Sequence, residues 1–306
     1  MPGTRQAGPS PAGFPLAGPY LAGLACALLA VALFAGFTLV SRFGLTSTAL
    51  TLPGLALLRF GVAGILLFPV VLRRGLGHLR GYQAALLALS GGLGFALLAY
   101  AGFRLAPASH GAVLLHGTIP LFTFVLAGGP VSAARKGGLA LILAGIGAMA
   151  WDSLQGATTG QWLGDGALLL AAFSWSAYGL LAQRLKVAPL HAAALVATGS
   201  LAGFLPVYAV LPLPDRAAVA WQDVVAQGIF QGLLLGVVSI LVYTRAVAIL
   251  GAHRTALFTA AVPCITTAAA LVLLGEHPTR AAWLGVAAVT LGMGVALGGQ
   301  RPGAAS

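Results

Sequence analysis

Ten apolar stretches, each about the length of a membrane-spanning helix, follow one another along almost the whole chain. About 20 apolar residues in a helix cross the hydrocarbon core of a bilayer, so this pattern predicts ten spans. Two divisions are short, at Arg104–Pro107 and at Gly251–Arg254. The predicted spans are Tyr20–Arg42, Pro53–Leu72, Tyr82–Arg104, Pro107–Ala127, Lys136–Asp152, Trp162–Gln183, Leu190–Leu211, Val224–Ile249, Thr255–Leu274 and Ala281–Leu297.

The composition agrees with a bilayer environment. Of 306 residues, 59% are hydrophobic and only 7% are charged, whereas soluble domains carry about a quarter charged residues. The 43 glycines fit helices that pack closely in lipid, where small residues replace the missing hydrophobic drive. A net charge of +11 would suggest nucleic-acid binding in a soluble protein, but here the basic residues lie between apolar runs. We therefore predict an all-α polytopic membrane protein that binds no nucleic acid.

The distribution of charge predicts the orientation of the spans. Ten spans place successive loops on alternate sides of the membrane. Eleven of the sixteen Lys and Arg residues, Arg245 among them, are then assigned to the side of the N-terminus, four to the opposite side, and Arg59 to a span. The positive-inside rule then places both termini in the cytoplasm. The acidic residues are all assigned to the opposite side, so we expect no carboxylate within a span. They are Asp152, Asp165, Asp215, Asp223 and Glu276.

An internal repeat divides the chain into two halves. A shift of 143 residues aligns pairs of identical residues, namely Tyr100 with Tyr243, His110 with His253, and Pro120 with Pro263. Each half holds five spans, an odd number, so the two halves should be inserted in opposite orientations, as in many secondary transporters. An inverted-repeat channel is the alternative. The predicted divisions are a disordered tail (1–19), a first repeat (20–152), an external linker (153–161), a second repeat (162–298) and a tail (299–306).

Several short motifs, in a fixed order, make the chain similar to a known family. They are Leu57-Leu-Arg-Phe60, Leu105-Ala-Pro-Ala-Ser-His-Gly-Ala112, Pro120 and Pro263, Leu274-Gly-Glu276, and the glycines from Gly285 to Gly294. With them the chain resembles the drug/metabolite transporter superfamily, specifically its EamA-type ten-span exporters. The resemblance implies a bacterial inner-membrane protein with a central cavity that exports small metabolites, most often amino acids. The first half has Gly128-Gly129 where the second has Gly275-Glu276, so any role of the family glutamate occurs once.

Aromatic residues at helical spacing are candidates for the walls of such a cavity. Phe34 and Phe37 in the first span, and Trp175 and Tyr178 in the sixth, are three residues apart and so share a helix face. Tyr100 and Tyr243 occupy equivalent places in the third and eighth spans. The alternative is that these rings pack against neighbouring helices or lie at the membrane interface.

Polar residues and prolines within spans are further candidates. His116, Ser239 and Thr259 could contact a substrate, or could bond to their own or neighbouring helices. Pro120 and Pro263 should kink their helices and could act as gating hinges. His110 and His253 are more consistent with structural roles. For Arg59 we favour packing against backbone carbonyls, with anion binding as the alternative. The residues in question are His116, Ser239, Thr259, Pro120, Pro263, His110, His253 and Arg59.

The predicted function is export of neutral or aromatic amino acids by alternating access. Without an intramembrane carboxylate, a facilitator or exchanger is expected, whereas proton-coupled multidrug efflux, with a histidine as proton carrier, is the alternative. The sequence contains no nucleotide-binding P-loop, no G-x-S-x-G and no H-E-x-x-H, and its two cysteines are isolated. We therefore expect no catalytic residues, no metal and no cofactor. The expected partners are a small-molecule substrate and lipid, with monomer and homodimer both open.

Overall fold

The computed structural model describes residues 17–128, 132–154, 158–211 and 219–298. These residues form helices and no strands, and ten helices are long and apolar enough to span a membrane, which confirms the predicted fold class. The predicted tails fall outside these ranges, apart from residues 17–19, and the predicted linker is described only in part. The helices are α1 (Pro19–Thr46), α2 (Leu52–Arg74), α3 (Gly81–Leu105), α4 (Ala108–Ala127), α5 (Ala133–Trp151), α6 (Thr159–Arg184), α7 (Pro189–Val210), α8 (Trp221–Leu250), α9 (Ala252–Leu273) and α10 (Arg280–Leu297).

Local sequence signals set the helix boundaries. The Thr51 side chain accepts a hydrogen bond from the Gly54 amide and so caps the start of α2. At the second short division, Gly251 has a φ of 86°, a conformation that favours glycine, and it ends α8 directly before α9 begins. Both short divisions predicted from the sequence are therefore genuine helix ends.

The prediction that no carboxylate lies within a span is wrong. Thr158 accepts a hydrogen bond from the Gln161 amide and starts α6 upstream of Asp165, which therefore lies inside the helix and is only 7% exposed. The Asp165 carboxylate is 2.8 Å from Nδ1 of His110 on α4, and this partner makes its burial possible. Arg245 also lies within a helix, near the end of α8, and not in a loop, although its side chain is exposed.

Helix packing follows the same order in both halves. Helix α1 packs on α8 and α9. In the repeat, α6 corresponds to α1, α3 to α8 and α4 to α9, and α6 packs on α3 and α4 in the same way. Helix α2 packs on α7, and α5 packs on α10. If each helix is replaced by its counterpart in the other half, every one of these packed pairs becomes a packed pair again. This order is what the predicted repeat requires, while the inverted orientation of the halves remains a prediction.

Glycines allow α5 and α10 to pack backbone against backbone. A Cβ atom added to Gly145 would lie 2.7 Å from the Gly285 carbonyl oxygen, and one added to Gly292 would lie 2.6 Å from that of Gly138. Gly147, on another face of α5, has no atom within 4 Å of such a Cβ. Because lipid provides little hydrophobic drive between helices, this close contact is a main source of their association.

Replacing Gly145 with alanine should therefore destabilise the protein, because the methyl group would force two backbones apart. Overpacking of this kind typically lowers the free energy of unfolding by about 1–3 kcal/mol. The measurement is unfolding of the purified protein in mixed micelles by increasing fractions of SDS. Gly147→Ala is the matched control and should unfold as the wild type does. Equal stability of the two variants would contradict the packing described.

Candidate functional site

A cavity of about 380 Å³ lies in the centre of the helix bundle. It is lined by residues of α1 to α6 and α8 to α10, and a smaller cavity of about 80 Å³ adjoins it toward α7. Tyr178 lines the smaller cavity, whereas Tyr100 and Pro263 line neither. The other residues singled out from the sequence as cavity or kink residues line the larger one, together with the intramembrane arginine. These are Phe34, Phe37, Arg59, His116, Pro120, Trp175, Ser239, Tyr243 and Thr259.

Aromatic rings form a continuous wall on one side of the cavity. The ring centroids of Phe95 and Trp175 are 4.7 Å apart, those of Trp175 and Tyr178 are 5.1 Å apart, and those of Phe37 and Phe95 are 5.7 Å apart. On another part of the wall, Phe34 and Tyr243 are 5.9 Å apart. These tilted contacts are favourable for aromatic pairs. Phe95 was missed by sequence reasoning, because nothing distinguishes it from the other apolar residues of α3.

The two helices that contain the repeat-related prolines, Pro120 and Pro263, are interrupted beside the cavity. In α4 a π-helical segment, Gly111–Gly117, ends at Thr118, and regular helix resumes at Ile119 with Pro120 in second place. In α9 a similar restart places Pro263 second after a turn. The Thr118 hydroxyl donates to the Leu114 carbonyl at 2.7 Å, so a side chain provides a hydrogen bond to a backbone carbonyl at the interruption. Whether the interruptions act as hinges remains a prediction.

The two polar cavity residues before these prolines are equivalent in the repeat. His116 and Thr259 each precede the proline of their helix by four residues, and a proline has no N–H to donate to the carbonyl at that position. The Thr259 hydroxyl donates to the Ala256 carbonyl of its own helix at 2.7 Å. Ser239 likewise donates to the Leu235 carbonyl at 2.6 Å. These two hydroxyl protons are therefore bound within their helices, and only the oxygen lone pairs are available to a substrate.

Arg59 lies where the larger and smaller cavities meet and lines both. Its guanidinium carbon is 5.0 Å from the centroid of the Phe37 ring, and its head group lies beside the Tyr100 hydroxyl. Its Nη1 atom is buried and has no hydrogen-bond partner within the described residues. We expected Arg59 to pair with backbone carbonyls, but no such hydrogen bond occurs in the part of the chain that the structure describes. Tyr100 lies behind this arginine, fully buried, and donates to Oε1 of Gln231 at 3.1 Å.

The two repeat-related histidines have different surroundings. His110 is 1% exposed, pairs with Asp165 and does not line the cavity, so it is not placed to touch a molecule there, and its structural role remains a prediction. Nδ1 of His253 is buried without a hydrogen-bond partner among the described residues. The difference has a simple cause, since the first-half segment equivalent to Asp165 is Ala22-Gly23-Leu24 and contains no acid.

A polar cluster, which we call the outer closure, ties together the helix ends remote from the N-terminus. Arg42 on α1 pairs with Glu276 and donates from Nη1 to the carbonyls of Phe103, at 2.7 Å, and Ala106. The second carboxylate oxygen of Glu276 accepts from the Ala108 amide at 2.8 Å. The outer closure thus joins α1, the α3–α4 connection and the α9–α10 connection. The sequence places Arg42 and Glu276 on the same side of the membrane but does not show that they pair, because they are 234 residues apart in the chain.

The cavity extends toward the opposite side, where the N-terminus lies. Its wall includes Arg135 near the start of α5, Ala256 near the start of α9 and Leu297 at the end of α10. All three helix ends lie on the N-terminal side of the bundle. The central cavity therefore reaches toward the N-terminal side of the bundle, and the outer closure lies at the opposite side.

Comparison with known proteins supports the resemblance over the second half of the chain. Residues 162–298 match the EamA-like transporter family. The chain is also similar to a solved crystal structure described only as that of a protein, with 22% sequence identity, a TM-score of 0.56, and coverage of 90% of this chain and 96% of the other. At that identity the likeness concerns the fold alone. No curated protein matches the chain. The family is one of membrane transporters of the drug/metabolite type, so the resemblance seen in the motifs is confirmed.

Removing the Glu276 carboxylate should loosen the outer closure. In Glu276→Ala, the Ala108 amide loses its acceptor and Arg42 loses its counter-charge, each a partly buried interaction worth about 1–3 kcal/mol. Hydrogen–deuterium exchange of the peptide that contains Ala108 should therefore accelerate at least severalfold. Asp223→Ala, at the start of α8 and outside the cluster, is the control. Unchanged exchange in Glu276→Ala would contradict a closing role.

Proposed function

We propose that this chain, whose residues 162–298 match the EamA-like transporter family, is a secondary transporter that exports small metabolites, specifically neutral or aromatic amino acids, by alternating access. The observation that carries the proposal is the central cavity, whose aromatic wall suits an apolar or aromatic side chain and whose few polar groups suit a backbone-like head group. Its volume of about 380 Å³ accommodates a molecule of this size.

Transport is proposed to follow the substrate gradient without a coupling ion. Proton and sodium coupling usually depend on an acidic group at the transport path. No Asp or Glu lines either cavity within the described ranges, and Asp165 is engaged with His110 outside them. A facilitator or exchanger would export any amino acid that the cell accumulates. Neither nucleotide hydrolysis nor catalysis is part of this proposal.

The proposed setting is the bacterial inner membrane, with both termini in the cytoplasm. This orientation rests on the excess of Lys and Arg on the N-terminal side. In that orientation, the cavity extends toward the cytoplasm, the side from which an exporter loads its substrate. The protein would work as a monomer or as a homodimer.

Efflux of phenylalanine from proteoliposomes tests the proposed function. Trp175→Ala should slow protein-dependent efflux of preloaded phenylalanine at low substrate about two- to tenfold, because an aromatic contact is worth about 0.5–1.5 kcal/mol. Trp221→Ala removes a tryptophan that is 68% exposed and serves as the matched control. Wild-type protein that releases no amino acid, or equal efflux by both variants, would contradict the proposal.

Proton-coupled multidrug efflux is a second candidate, favoured by one observation. The pair formed by His110 and Asp165 places a titratable carboxylate and an imidazole inside the bundle, which is where a proton carrier would be needed. In that case the driving force would be a proton gradient and the cargo planar organic cations.

The Asp165→Asn variant distinguishes the two candidates. For an uncoupled exporter, an imposed pH gradient should leave the initial rate of phenylalanine efflux unchanged in the wild type and in this variant, although the variant should unfold more readily. Proton-driven accumulation of a planar cation by the wild type, abolished in Asp165→Asn, would instead establish the coupled exporter. His253→Gln is the control, since this histidine has no acidic partner in the described structure.

A further inference from the structure

Arg59 is a charged group within the membrane that no described residue neutralises. The salt bridges among the described residues are those of Arg42 with Glu276 and of His110 with Asp165, and neither includes Arg59. A half-buried arginine without a counter-charge is costly in a bilayer, where such groups normally pair with one another or face a water-filled cavity. Arg59 faces the cavity, so a negative charge must be sought there.

The contacts of Arg59 hold its head group in place without supplying charge. The Phe37 ring lies under the guanidinium at 5.0 Å. The Tyr100 hydroxyl donates its proton to Gln231, at 3.1 Å, so its lone pairs face the arginine. Gln231 in turn donates from Nε2 to the Ser41 hydroxyl at 2.9 Å. This chain of neutral groups, buried between α1, α2, α3 and α8, fixes the position of Arg59 and leaves its Nη1 atom without an acceptor.

The chemistry of the free group selects its ligand. A guanidinium presents parallel N–H donors that match the two oxygens of a carboxylate, and such charge-assisted bonds are about twice as strong as neutral ones. The wall next to Arg59 is formed by Trp175 and Leu235, which suit an aromatic or aliphatic body. A ligand that fills both parts carries a carboxylate at one end and an apolar group at the other.

No carboxylate among the described cavity residues pairs with an ammonium group. A second basic residue, Arg135, lines it at the N-terminal side, and no carboxylate lines it within the described residues. Both formal charges on the wall are therefore positive. This arrangement attracts organic anions and repels organic cations.

We infer that Arg59 is the specificity-determining residue of the cavity and that the transported class is amphiphilic carboxylates, of which amino acids are one kind. This inference rests on the proposed function and extends it, because the α-amino group is not required. Deaminated analogues of aromatic amino acids should bind as well as the amino acids do. Organic cations of the same shape should be rejected.

Binding of three probes with the same phenyl body tests the inference. Isothermal titration calorimetry of the purified protein in detergent should give comparable Kd values for phenylalanine and 3-phenylpropionate, and a value at least tenfold higher for phenethylamine. Arg59→Gln should raise the Kd of 3-phenylpropionate at least tenfold. Arg59→Lys, which keeps the charge but loses the paired donors, should give an intermediate value. Arg104→Gln, which removes an exposed arginine of α3, is the control and should bind as the wild type does.

Three results would overturn the inference. They are no binding of 3-phenylpropionate to the wild type, equal binding of phenethylamine, and an unchanged Kd for 3-phenylpropionate in Arg59→Gln. If Arg59→Gln does not fold, the wild-type probe comparison and Arg59→Lys still decide. The proposed function fails separately: absence of amino-acid efflux from proteoliposomes, with carboxylate selectivity intact in solution, would contradict export but support the role of Arg59.

Discussion

Charges inside a membrane need partners, and this requirement organises the bundle. Two of its buried or half-buried acids are paired, Asp165 with a histidine and Glu276 with an arginine, and the second pair also binds two connections between helices. Arg59 differs, since its partners are an aromatic ring and a hydroxyl. Arg59 has no carboxylate partner among the described residues, and it faces the cavity. The same rule that makes the rest of the bundle stable makes this place receptive to an anion.

The two ends of the cavity are built differently. On the side remote from the N-terminus, the outer closure joins α1 with the α3–α4 and α9–α10 connections through charge-assisted hydrogen bonds. On the N-terminal side, the wall reaches the helix ends near Arg135 and Leu297. Alternating access requires these two conditions to exchange. The interrupted helices α4 and α9 could accommodate such a change, whereas the glycine-mediated contact between α5 and α10 should move as a unit.

The fold could be predicted from the sequence because one physical property, the length of apolar runs, specifies it. The short divisions at Pro107 and Gly251 were also readable, since Pro107 directly precedes the start of α4 and Gly251 ends α8. Pairwise contacts were not. Asp165 was assigned to the outer side of the membrane, although the predicted sixth span, Trp162–Gln183, includes it, because the sequence does not show its partner His110. The partner of Glu276 is likewise distant in the chain. Tyr100 and Tyr243 match in the repeat, yet only Tyr243 lines the cavity, because the two halves diverge around them.

The most direct test of this account is a structure of the protein determined with saturating phenylalanine. The ligand should lie in the central cavity, with its carboxylate within hydrogen-bond distance of the Arg59 guanidinium and its ring against Trp175. Phenylalanine bound elsewhere, or in the cavity with its carboxylate turned away from Arg59, would contradict it.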